Sequence, residues 1–200
     1  MTDTAPFPPT PASGTVASHL ADWQNLENYR LQEQSLSLLF HQLCPSNTVV
    51  EHVLLKVSAL NDFYSTNIFD TYSVAKHIVS LGIDHRLASS DVSLVNEIAL
   101  VTIKGKQRNF YSFATKFCSH HQADVFPIFD SYVEKMLCYF EKCDSFSQFA
   151  KPDLRDYGRF VEVVHAFRTH YRLEQFSLRE IDIYLWLEGK KYFRPSHHAA

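Results

Sequence analysis

Phe110, Phe113, Ala114 and Phe117 recur at intervals of three and four, and that interval governs nearly the whole chain. Apolar side chains so spaced share one face of an α-helix, so each such stretch must bury that face against another. Leu20, Trp23 and Leu26 open a pattern that Leu36, Leu39, Phe40 and Leu43 finish, predicting one long helix from Ser18 to about Leu43 before Pro45 stops it. Thr48-Val-Val-Glu51 has the capping-box spacing and opens a second helix through about Leu60. A third covers Thr71 to Leu81 and ends at Gly82. Ser90 or Asp91 caps a fourth, with Val92, Val95, Ile98 and Ala99 in its stripe. After Gly105 the pattern resumes from about Asn109 to His120. Pro127 stands where a first-turn proline belongs, ahead of Val133, Met136 and Leu137. Positions 153–171 form another helix, and Ser177-Leu-Arg-Glu180 caps a last one ending near Gly189. Leu100 to Ile103 is a candidate strand without a matching partner. The fold class is therefore all-α, a single globular domain of about eight helices over 18–195. Residues 1–17, with Pro6, Pro8, Pro9 and Pro11, read as a flexible tail too poor in apolar residues to offset its ordering entropy.

Composition narrows function by exclusion. Five glycines leave little room for glycine-rich phosphate loops, and a net charge of −3 excludes gripping nucleic acid by bulk charge, though a local basic patch remains open. No apolar run is long enough to span a membrane, and Met1-Thr-Asp-Thr-Ala-Pro lacks the charged and apolar parts of a signal peptide. Cys44, Cys118, Cys138 and Cys143 are sparse and sit in apolar segments, which predicts reduced thiols in the cytoplasm. Cys118, His120 and His121 lack metal-ligand spacing, since adjacent residues on a helix point about 100° apart, so no metal and no cofactor is expected.

The chemistry-bearing segment runs from Ile103 to Leu137. No acidic residue lies between Glu97 and Asp124, while Lys104, Lys106, Arg108 and Lys116 all do. A glycine between two lysines, followed at once by a helix, exposes backbone N–H groups beside cations and suits a phosphate oxygen; the alternative is a solvated loop. In Phe126-Pro-Ile-Phe-Asp130-Ser-Tyr-Val133, Asp130 is flanked by apolar residues. It is either a helix cap or a partly desolvated carboxylate able to stabilise a cation or orient water.

Lys104-Gly-Lys-Gln-Arg-Asn-Phe-Tyr-Ser-Phe-Ala-Thr-Lys-Phe117, followed by Phe126 to Val133, resembles the helix-hairpin-helix DNA glycosylases of the endonuclease III superfamily. Val53 to Asn61 is similar to an early helix of that family and Ile181 to Gly189 to a closing one, so the likeness spans roughly 48–190. It is that of a divergent member with a degenerate hairpin: Gly105 stands alone where the family has Leu-Pro-Gly-x-Gly. The resemblance implies DNA as partner, with phosphate gripped at Gly105 beside Lys104, Lys106, Arg108 and Lys116. It also implies Asp130 as the catalytic carboxylate in base excision. A flipped base would meet Asn61, Tyr64, Tyr111 and Phe129, with Phe63 nearby. Lys106 does not align with the family's lyase lysine, so the implied enzyme is a monofunctional N-glycosylase, a hydrolase of DNA repair. The competing reading is a non-catalytic helical module that binds DNA or protein.

Overall fold

The computed structural model describes residues 7–193. Its order is α1 (Ser13–Gln24), α2 (Glu27–Leu38), α3 (Val50–Tyr64), α4 (Thr71–Ser80), α5 (Asp84–Ala88) and α6 (Leu94–Ala99), then β1 (Leu100–Ile103) and β2 (Lys106–Asn109). There follow α7 (Tyr111–His121), α8 (Ser131–Asp144), α9 (Tyr157–His170) and α10 (Leu178–Tyr192). A π-helical turn, Leu39–Leu43, continues α2, and a 3-10 turn, Lys151–Arg155, precedes α9. One aromatic-rich core, with Phe117, Phe126, Tyr157, Phe160 and Tyr184 fully buried, joins these helices into a single all-helical unit.

Several local expectations need correction. The first helical stripe is two helices, because the chain turns at Asn25 and Leu26, whose N–H groups bond back to Asp22 and Trp23. The expected tail is shorter than 1–17: α1 begins at Ser13 and buries Val16 completely, while Pro8 and Pro11 are buried too. Residues 1–6 lie outside the described residues, as do the last two of the 18–195 domain. Thr48 caps nothing; α3 begins two residues later, with Val49 at the cap position. Pro127 does not open a helix. It lies in a buried extended segment whose carbonyl accepts a hydrogen bond from Tyr157 Oη at 2.9 Å, and Asp130 caps α8 instead. Phe126, Ile128 and Phe129 are all buried, so this segment threads the core with no polar face to offer a helix.

Leu100–Ile103 does find a partner. It pairs antiparallel with Lys106–Asn109 through a two-residue turn, Lys104-Gly105, in which both φ angles are positive (49° and 73°). That is the turn whose twist matches a hairpin, and glycine adopts it without strain. The capping box at Ser177 and Glu180 forms as expected. Gly189 lies inside α10 rather than after it, because α10 crosses α8 there. A Cβ at this position would stand 2.8 Å from Tyr132 Cβ.

Candidate functional site

The extended segment before α8 is tied to α7 at every turn. Phe129 N–H donates to Thr115 Oγ1 at 3.0 Å, and Phe129 O accepts from Ser112 Oγ at 3.0 Å and from Lys116 Nζ at 3.3 Å. Lys116 is itself buried, only 4% exposed, and also donates to Ser112 Oγ at 2.6 Å and Ser112 O at 3.3 Å. Burial lowers its pKa, an effect that the negative charge of Asp130 opposes. Asp130 is half-buried. Its Oδ1 accepts the Tyr132 N–H at 2.7 Å, which caps α8, while Oδ2 has no hydrogen-bond partner among the described residues.

Lys116 and Asp130 stand where two cavities meet. The outer one is an open cleft of about 530 Å³ whose walls include Thr66, Asn67, Asn109, Tyr111, Phe129 and Arg155. The inner one is a more enclosed pocket of about 250 Å³ walled by Trp23, Tyr29, Phe63 and Trp186, with Glu33, Arg179 and Asp182 as its charged groups. Tyr64, Ser65, Lys116 and Asp130 border both. Tyr64 Oη meets His120 Nε2 at 3.0 Å, and Lys116 Nζ lies 5.3 Å from the Tyr64 ring centre. Arg155 lies over the Phe129 ring at 4.6 Å and bonds Glu134 at 3.0 Å, so a second cation reaches the outer cleft.

The inner pocket draws on both ends of the chain. α10 packs against α1 and α8. Trp23 stacks on Tyr29 at 5.8 Å, and Trp186 meets both rings edge-on. Arg179 bridges Glu33, at 2.7 Å, and Asp182 Oδ2. Asp182 Oδ1 is buried without a hydrogen-bond partner. Burial pushes the Asp182 carboxyl up to about 6, against the pull of Arg179 and Lys116. An aromatic-walled pocket of this size suits a flat ring.

Of the residues singled out from sequence, Tyr64, Tyr111, Lys116, Phe129 and Asp130 therefore share one site. Tyr111 and Phe129 form its outer wall, their rings 4.9 Å apart, and Tyr111 Oη is used on Leu154 O. Asn61 is not a pocket residue. Its side chain accepts from Thr66 Oγ1 and Ile68 N and donates to Ile68 O, stapling the loop after α3. Lys116 is no surface cation, since it faces the core side of α7. Lys104, Gly105, Lys106 and Arg108 are exposed on the hairpin and line neither cavity. The glycine turn is not followed at once by a helix; all of β2 intervenes, and Lys106 stands about 10 Å along that strand from Asn109 at the cleft edge. Trp23, Tyr29, Glu33, Arg179, Asp182 and Trp186 were not legible as a site, being spread from one end of the sequence to the other.

Fold and cavities together define a small helical protein with two adjoining chambers, the inner one walled in part by its first and last helices. The profile of the HI_0787_N family, described as an N-terminal domain, matches residues 15–125, and the chain belongs to that family. It is also 50% identical over 151 residues to an uncharacterized protein of Haemophilus influenzae, across 75% of this chain and 72% of that relative. No solved structure matches it significantly. Among the described residues no helix is long and apolar enough to cross a membrane, and no group of three or more His, Cys, Asp or Glu could hold a metal ion.

Proposed function

We propose that the protein binds DNA and releases a base from it, as a divergent relative of the helix-hairpin-helix glycosylases. One observation carries the reading: Tyr64, Lys116 and Asp130 meet at the junction between an open cleft and an aromatic pocket sized for a single ring system. Base excision needs that division of space. The backbone lies in the open part, the extruded base stacks in the closed part, and the sugar sits between them.

At the junction, Asp130 stabilises positive charge on the sugar as the glycosidic C–N bond stretches, and it takes the proton of the attacking water. The water oxygen forms the new bond to the anomeric carbon, and the electrons of the C–N bond leave with the base, which gains a proton from solvent. Lys116, with its N–H groups donated to Ser112 Oγ, Ser112 O and Phe129 O, holds the backbone that aims Asp130. Such a site is that of a monofunctional hydrolase. The cytoplasmic setting is supported by four cysteines that are all free.

The test is a panel of duplexes, each with one defined damaged base, incubated with the protein and scored for abasic sites after alkali. Processing of at least one lesion, with binding that weakens as salt rises, is expected. If no lesion is processed and binding shows no salt dependence, the reading fails. A second reading, a module that binds DNA or protein without catalysis, is favoured by the β-hairpin that stands in place of a phosphate-gripping helical turn. It predicts salt-dependent binding with no base release.

A further inference from the structure

The face that α1 turns to the core is Val16, His19, Leu20 and Trp23, one helical stripe with a histidine in the middle of it. Both ring nitrogens of His19 face acceptors. Nδ1 lies 2.8 Å from Thr15 O, one turn back on α1, and Nε2 lies 2.7 Å from Glu188 Oε2 on α10. A neutral imidazole carries one N–H and can serve only one of them, whereas the imidazolium carries two. The arrangement is therefore that of a charged ring. Glu188 is completely buried, and its oxygens receive no hydrogen bond from any other group among the described residues. The bond to Glu188, with smaller help from Thr15 O and Asp22, holds the proton on His19 above pH 6.5 against the cost of burial.

Taking that proton away leaves a buried carboxylate facing a lone pair, and such a group must either be protonated itself or reach water. The rest of its surroundings offers neither. Tyr184, edge-on to His19 at 5.3 Å, has a buried hydroxyl without a partner, and beyond it stand Tyr192 and, at the end of α9, Tyr171. On the α8 side the next residue, Gly189, is in close contact with Tyr132. On the α2 side Tyr29 is bonded by Lys190 at 3.1 Å. Water reaches Glu188 most readily by displacing α1, which meets α10 through this stripe. Trp23, the last residue of the stripe, is the wall that α1 gives the inner pocket.

We propose that α1 is a proton-held lid on the inner chamber: charged His19 clasps it to Glu188, and loss of that proton lets the helix and Trp23 move away. The inference does not depend on what the chamber binds. Trp23 and Trp186 are the only tryptophans in the chain, so their fluorescence reports the lid. Titrated from pH 6 to 9, the full chain should shift its emission to the red. Acrylamide quenching should rise by about twofold, with helical circular dichroism retained. Glu188→Gln removes the buried charge and should keep the tryptophans shielded across the range, and His19→Gln has no proton to lose and should show no transition. The double variant His19→Leu with Glu188→Leu, in which an apolar pair replaces the ion pair, should fold and lack the transition too. Lys56, which burial brings down to about 8, titrates in the same window. A transition of wild-type size in any of the three variants would belong to such another group and overturn the lid. Equal emission and quenching of wild type at pH 6 and 9 would overturn it as well.

Discussion

Lys116 donates a hydrogen bond to the carbonyl of Phe129, the residue immediately before Asp130, at 3.3 Å. The contact sets the distance between the two ionisable groups of the site, because it ties the cation of α7 to the backbone that aims the carboxylate. The same lysine is held by Ser112, so its nitrogen has little freedom to leave the junction.

Asp130→Asn separates chemistry from architecture. Asparagine caps a helix about as well as aspartate, so the Tyr132 N–H keeps an acceptor and thermal stability should change little. Base release should fall by about a hundredfold or more, because the negative charge and proton acceptor are gone. Asp130→Ala should lose the same activity and cost about 1 kcal/mol besides. Release by Asp130→Asn at the wild-type rate would remove Asp130 from the mechanism.

Lys116 holds the carboxylate in place and does not attack the sugar. Borohydride added during turnover should trap no protein–DNA adduct, and Lys116→Gln should slow base release by roughly tenfold with folding retained by circular dichroism. A trapped adduct that Lys116→Gln abolishes would make Lys116 the nucleophile instead.

Acid should unfold the protein through two histidines behind the site. Burial lowers His120 to about 3, with Arg179 adding repulsion, and lowers His121 to about 3, with Lys56 adding its own. Both folded values lie below the unfolded value near 6.5, so between the two the unfolded chain holds more protons. Their contribution is present above about pH 6.5 and is lost as pH falls toward 3. His19 works in the opposite sense. Its hydrogen bond to Glu188 raises its pKa, so its contribution is full below about 6.5 and fades at higher pH. Urea midpoints measured at pH 7, 6 and 5 should decline, and should decline less in a variant carrying His120→Gln and His121→Gln. An equal decline in both proteins would contradict the assignment.

Gly189→Ala should lower stability by about 1–3 kcal/mol, because the new methyl meets Tyr132 Cβ at 2.8 Å and the Tyr132 carbonyl at 3.1 Å. Those neighbours are backbone or next to it and cannot swing away. A melting temperature equal to wild type would show that α8 and α10 can separate freely.

What the sequence made legible was local. The stripe of Phe110, Phe113, Ala114 and Phe117 became α7, and Ser177 with Glu180 closed the capping box of α10. The break at Asn25 was hidden because no proline or glycine marks it, and the apolar rhythm survives across the turn. β2 was hidden because Lys106-Gln-Arg-Asn109 is exposed on both faces and carries no alternation. Lys116 looked like a surface cation among phenylalanines. Its position three residues after Phe113 and one before Phe117 is on the buried face, which was the available signal. The inner pocket had none: Trp23 and Trp186 meet only through the docking of α1 on α10, a relation that periodicity does not encode.

That docking has a consequence for how the protein comes into being. Residues 15–125, the stretch shared with the family, hold Trp23, Tyr29, Tyr64 and Lys116 but lack Asp130, Asp182 and Trp186. A chain still emerging from the ribosome would carry the lysine with no carboxylate beside it and one wall of the chamber with no other. Only when α10 arrives, bringing Arg179, Asp182 and Trp186, is the inner cavity closed.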